Sequence, residues 1–161
     1  MGIVVTGIGP RSGTSAMMRT LIGAGWDPHP AASLFPSYAA PERNPLGYWD
    51  LDIKVLLDKD ERISLGAKEV VKIWSPSFPQ VDWHTVDKIV VMHRNDLDAQ
   101  MVSIKETAKA EGVKLDAMAV DRMFWEIRIL LSSLNKPIYY VETEELRSDP
   151  QAVLRKIKEA T

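Results

Sequence analysis

The stretch Ile3 to Trp26, IVVTGIGPRSGTSAMMRTLIGAGW, limits what this chain can fold into more than any other. A β-branched run, Ile3-Val4-Val5-Thr6, passes through Gly7-Ile8-Gly9-Pro10-Arg11-Ser12-Gly13. The segment after it predicts a helix from about Thr14 to Ala24, closed by Gly25. A glycine-rich turn between a strand and a helix aims backbone N–H groups at one point, and the positive end of the helix dipole adds to them. Such a point attracts phosphate. Gly7, Gly9 and Gly13 let the chain pass close to a ligand, and Pro10 stiffens the turn. Arg11 adds a permanent, forked cation. Ser12, Thr14 and Ser15 bring hydroxyls that can cap the helix or bind phosphate oxygens. The plainer alternative is a glycine turn entering a capped helix. The preceding strand, the arginine and the three hydroxyls together favour phosphate binding.

The nucleotide triphosphatase pattern is G-x-x-x-x-G-K-[ST]. Gly9 and Gly13 stand one residue too close for it, and Thr14 occupies the lysine position. The cation that would reach the β- and γ-phosphates is therefore missing from its usual place. The run Pro10 to Ser15, P-R-S-G-T-S, instead resembles the 5′-phosphosulfate loop of sulfotransferases that use 3′-phosphoadenosine-5′-phosphosulfate (PAPS). That resemblance implies a cofactor site made of Gly9, Pro10, Arg11, Ser12, Gly13, Thr14 and Ser15.

At 161 residues the chain is expected to form one domain, 1–161, large enough for a real core. Its 20 basic and 22 acidic residues leave a formal charge of −2, so no basic field points to nucleic acid or an anionic membrane. With no cysteine, disulfides and thiolate metal sites are excluded, and no pair of histidines has metal-ligand spacing. No apolar run is long enough to span a bilayer, so no stable membrane insertion is expected. The chain opens almost directly on a strand, leaving no room for a signal peptide, and the expected compartment is the cytoplasm. No flexible linker or heptad bears on oligomeric state.

From Asp27 to Pro45, five prolines forbid a long helix, and Trp26, Phe35, Tyr38, Tyr48 and Trp49 lie in or beside the segment. It reads as a substrate-facing flap or as an irregular loop whose aromatics cover the core. A helix is expected from Asp50 to Ile63, with Leu51, Val55 and Leu56 as its apolar stripe. Strands are expected over Glu69–Trp74, Lys88–His93 and Ile138–Val141, the second leading straight into Arg94. Helices should run from about Asp96 to Ala110, from Leu115 to Leu134 with a packed face of Met118, Val120, Met123, Phe124, Ile127, Leu130, Leu131 and Leu134, and from Pro150 to Ala160. A short turn is expected at Glu144-Glu145-Leu146. This order favours a three-layer α/β sandwich with a parallel sheet of about four to five strands, and the resemblance implies that it is P-loop nucleoside triphosphate hydrolase-like. The first strand should lie centrally, beside the strand ending at Arg94.

Further stretches carry the same resemblance. Asn44-Pro45-Leu46-Gly47-Tyr48-Trp49-Asp50 is similar to a run in bacterial sulfotransferase-like proteins. Val91-Met92-His93-Arg94-Asn95, with Asp98, resembles the strand that delivers the 3′-phosphate arginine. The family's serine follows that arginine by eight residues; here Val102 stands there and Ser103 is one residue late. Val71-Lys72-Ile73-Trp74 resembles the strand whose lysine precedes a catalytic histidine, but Trp74 stands in the histidine position and cannot take a proton. Glu144 to Pro150 matches a family marker equally explained as a capped turn. The resemblance runs from Ile3 to Leu154. It finds no match to the basic, glycine-containing C-terminal segment that clasps the adenosine 3′-phosphate in many members.

The resemblance implies sulfuryl transfer from PAPS, leaving adenosine 3′,5′-bisphosphate, to a small-molecule or glycan acceptor. Arg11 would stabilise charge on the leaving phosphate, with Lys72 a second cation. Arg94 and Ser103 would hold the 3′-phosphate. A general base is also required; Asp50 is the first choice, ahead of Glu42, His93 and His84. For Lys72, burial opposite an acidic partner is an equally good account, and for Asp50, a helix cap. Two alternatives stand beside this reading: a phosphate-loop kinase using ATP–Mg²⁺, and a non-catalytic nucleotide-binding protein on the same fold.

Overall fold

The computed structural model describes residues 2–36, 41–51 and 62–159. Among them seven strands share one open sheet: β1 (Gly2–Gly7), β2 (Asp27–Pro28), β3 (Ala32–Ser33), β4 (Asp50–Leu51), β5 (Glu69–Lys72), β6 (Val86–His93) and β7 (Ile138–Glu142). The described helices are α1 (Thr14–Gly23), α2 (Leu97–Ala110), α3 (Ala117–Ser133), α4 (Thr143–Ser148) and α5 (Pro150–Glu159). The strands run in the order β3-β4-β5-β1-β6-β7, with β2 also pairing with β5. β1 lies between β5 and β6 and is parallel to both, Val4 standing opposite Val71 on one side and Ile89 on the other. The expectation that the first strand is central and beside the strand ending at Arg94 therefore holds.

Alternation along β1 shows why the strands read as unbroken apolar runs. Ile3 and Val5 pack with Met17, Met18 and Leu21 of α1 and with Val153, Leu154 and Ile157 of α5. Val4 faces the other way, with Ile127 and Leu131 of α3. Helices thus cover both faces, so both sets of side chains are buried. Capping agrees with the sequence: Asp96 accepts the Ala99 N–H (2.8 Å) and Asp149 the Ala152 N–H (2.9 Å), with Pro150 the first residue of α5.

Several expectations need correcting. The sheet has seven strands rather than four to five, because β2, β3 and β4 are two residues each, too short to leave a period in the sequence. It is mostly parallel, since β3 runs antiparallel to β4. The expected helix from Asp50 does not start there: Asp50 and Leu51 are extended, with Asp50 in register opposite Lys72 on β5. Residues 52–61 of that helix lie outside the described residues, as does Tyr38 of the flap. β5 ends at Lys72, because Ser75–Gln80 turns into a 3₁₀ segment containing Pro76 and Pro79. The turn at Glu144 is the helix α4. Of the apolar residues on α3, Val120, Ile127 and Leu131 are buried, but Met118 and Met123 are exposed. No described helix is long and apolar enough to cross a membrane.

Candidate functional site

The loop after β1 lies at the carboxyl end of the central strand, where open α/β sheets place ligands. Its backbone alternates through the left-handed region, with φ of 74° at Gly9, 61° at Arg11 and 92° at Gly13. Gly13 occupies the N-cap of α1, and no side chain caps that helix. Ser12, Thr14 and Ser15 are thus not spent on capping. The first N–H groups of α1, which have no partner inside a helix, remain available to an anion.

Two buried polar residues that sequence reasoning missed hold the loop from below. Gln100 on α2 is 1% exposed; its Nε2 donates to the carbonyls of Ile8 (3.0 Å) and Pro10 (2.7 Å). Thr143, also 1% exposed, donates its hydroxyl to the Ser12 carbonyl (2.5 Å) and lies 3.1 Å from that of His93. With these braces in place the loop admits no added side chains. A Cβ on Gly9 would lie 2.4 Å from the Phe124 ring, and one on Gly13 2.8 Å from Thr143 Oγ1. Gln100 was detectable in principle, since it stands in line with Ile104 and Ala108, the buried stripe of α2. Thr143 had no comparable signal.

A cleft of about 650 Å³ opens in front of the loop. The structure brings Pro10, Arg11, Gly13, Thr14, Ser15, Asp50, Lys72, Arg94 and Ser103 together on its walls. Gly9 and Ser12 instead line a smaller hollow of about 200 Å³ beside it, with Ile73, Trp74 and Met123. Arg19, Arg43 and Arg147, which the sequence reading passed over, also face the cleft. Among the described residues six basic side chains line it against two acidic ones, Asp50 and Glu111. In a chain of formal charge −2 this is a local concentration of positive charge, as an anionic ligand requires.

The basic groups are not equivalent. Lys72 and Asp50 form an ion pair, with side chains 3% and 7% exposed. The Lys72 ammonium also donates to the Tyr48 carbonyl (2.6 Å) and to Ser15 Oγ (3.2 Å). Burial lowers its pKa from the ordinary lysine value; Asp50 acts the other way, and Arg19 and Arg11 add to the lowering. Arg94 differs. Its Nε is buried with no hydrogen-bond partner among the described residues, and Glu144 approaches only to 3.8 Å. Arg11 is exposed, and its Nε donates to Ser103 Oγ (3.1 Å), so the late serine does reach the loop arginine.

The flap borders the cleft through Arg43, Asn44 and Tyr48. It is tied to α1 by Arg19, whose Nη1 donates to Asn44 Oδ1 at 3.3 Å. Its aromatics divide: Trp26 and Trp49 pack against the core, while Phe35 is exposed. Of the other base candidates, Glu42 and His84 are exposed, and neither they nor His93 line the cleft. His93 ends β6, its ring roughly perpendicular to that of Tyr140 with centroids 6.3 Å apart. Among the described residues no group of three His, Cys, Asp or Glu could hold a metal ion. Compared with protein-family models and with curated proteins, the chain matches none.

Proposed function

We propose that the basic cleft binds 3′-phosphoadenosine-5′-phosphosulfate, and that the protein transfers its sulfuryl group to a hydroxyl acceptor. The observation that carries this reading is the convergence on one cleft of an uncapped helix start, Arg11, Ser103 and Arg94, whose buried Nε has no hydrogen-bond partner among the described residues. A buried guanidinium nitrogen without a hydrogen bond costs about 1–3 kcal/mol, which a bound oxyanion would recover. The glycine-rich loop at the carboxyl end of a central parallel strand supports a phosphate-loop identity for the fold.

The bound group supplies an activated sulfuryl and a phosphate that leaves with increased negative charge. Arg11 and the N–H groups at the start of α1 stabilise that charge, and Arg94 and Ser103 hold the distal phosphate. The loop backbone that carries Arg11 and leads into α1 is braced beforehand by Gln100 and Thr143, so its N–H groups need little reorganisation on binding. Thr14 in the lysine position counts against the kinase alternative.

A second reading, a nucleotide-binding protein without turnover, draws on two observations. Asp50 is engaged by Lys72, so accepting a proton would break a buried ion pair. Trp74 offers no base where the resemblance leads one to look for a histidine. Calorimetric titration with adenosine 3′,5′-bisphosphate and, separately, with ATP–Mg²⁺ tests the binding step. Micromolar bisphosphate binding, weakened about tenfold or more in Arg11→Ala and Arg94→Ala, is expected; preference for ATP–Mg²⁺ would sink the reading. Incubation with PAPS and a panel of phenols and sugars then separates enzyme from binder: a sulfated product identifies the former, and its absence the latter.

A further inference from the structure

We propose that the outer face of α3 is a self-association surface, on which α3 of a second copy of this chain docks antiparallel across a two-fold axis. The helix packs Ile127 and Leu131 with Val4, Ile89 and Val91 of the sheet and buries Val120 on the same side. At 3.6 residues per turn, Met118, Arg122, Trp125 and Ile129 fall within about 60° of one another on the opposite side. Met118 is 75% exposed, and Trp125 and Ile129 are each 64% exposed. Single exposed apolar side chains are ordinary. Three large ones on one stripe, spaced four, three and four residues apart with Arg122 included, have the spacing of a seam between two packed helices. Periodicity alone hides this stripe, because both sides of α3 are apolar and only burial separates them.

Charge complementarity selects the occupant. In an antiparallel pairing, Met118 of one copy meets Ile129 of the other, and Arg122 meets Trp125. On the flank, exposed Asp121 then faces exposed Arg128 of the second copy, twice by symmetry. The Trp125 ring already attracts cations, since the Arg128 guanidinium of the same copy lies 5.8 Å from its centroid. A parallel pairing would instead put Arg122 against Arg122, a like-charge contact. The surface is independent of the cleft reading. Phe124 and Met123, the α3 residues beside the loop and its smaller hollow, lie off the stripe.

Sedimentation equilibrium over about 5–500 µM protein tests the proposal, a range that spans micromolar self-association. The wild-type chain is expected to show a reversible monomer–dimer equilibrium. Trp125→Ala and Asp121→Arg should each weaken it about tenfold or more. Asp121→Arg combined with Arg128→Asp should restore it to within about threefold, because the two charges exchange partners. All these positions are exposed, so circular dichroism and urea midpoints should match wild type and exclude misfolding as the cause. A wild type that stays monomeric, an Asp121→Arg variant that dimerises like wild type, or a double variant that fails to recover would each overturn it.

Discussion

The two strands flanking β1 each deliver a cation to the same cleft, Lys72 at the end of β5 and Arg94 just beyond β6. Their surroundings are opposite. Lys72 has its donors occupied by Asp50, the Tyr48 carbonyl and Ser15. Arg94 is left with a buried Nε that nothing among the described residues satisfies, and with a carboxylate beyond hydrogen-bond reach. Lys72 ties the flap to the sheet, while Arg94 keeps a buried Nε that no described residue satisfies, and the proposed reading gives that donor to a ligand. The buried, fully paired member of such a couple should therefore govern stability, and the other should govern affinity.

The strongest challenge to this contrast is Lys72→Met. It leaves the Asp50 carboxylate buried and unpaired, and urea denaturation should show a loss of about 3–5 kcal/mol. Adding Asp50→Leu should recover much of it, since an apolar pair of similar volume avoids burying a lone charge. A loss below about 1 kcal/mol for Lys72→Met would place Lys72 with the ligand-binding groups instead.

Gly13→Ala tests the loop that both cations flank. A φ of 92° and a Cβ 2.8 Å from Thr143 Oγ1 combine strain with collision. A stability loss of about 1–3 kcal/mol is expected, together with loss of bisphosphate binding by calorimetry. Unchanged binding would mean that the loop backbone takes no part.

Arg94→Ala should move affinity and spare the fold. Thermal or urea unfolding should change by less than about 1 kcal/mol, because its contact with Glu144 is long and half-exposed. Bisphosphate binding should weaken by about ten- to a hundredfold, the worth of one charged hydrogen bond. The smallest effect is expected from Ser103→Ala, which removes the acceptor of the Arg11 Nε–H bond. A few-fold loss of affinity, with stability unchanged, would fit a neutral hydroxyl that orients Arg11 and adds one weak hydrogen bond to the distal phosphate.

Much of the frame was legible beforehand because its causes are local. The β-branched run of β1, the glycines of the loop, the caps at Asp96 and Asp149 and the apolar run of β6 each state their conformation within a few residues. The two-residue strands did not, because pairing in β2, β3 and β4 depends on neighbours distant in sequence. Asp50 shows the cost of local reading: as an acidic residue before an apolar stripe it suggested a helix start, yet its partner across the sheet makes it extended. Gln100 and Thr143 were passed over because a polar residue reveals its function only when the carbonyl it meets is known.

The sequence by itself determined that a strand enters a glycine-rich, arginine-bearing turn before a helix, and that a second strand ends at an arginine. These follow from backbone geometry and side-chain shape, which act between near neighbours. Tertiary structure alone decided that Ser103 meets Arg11, and that among the described residues Lys72 is occupied, Arg94 Nε lacks a hydrogen bond and six cations share one cleft. Burial and charge pairing depend on distances in space, and the sheet that sets those distances joins residues from one end of the chain to the other.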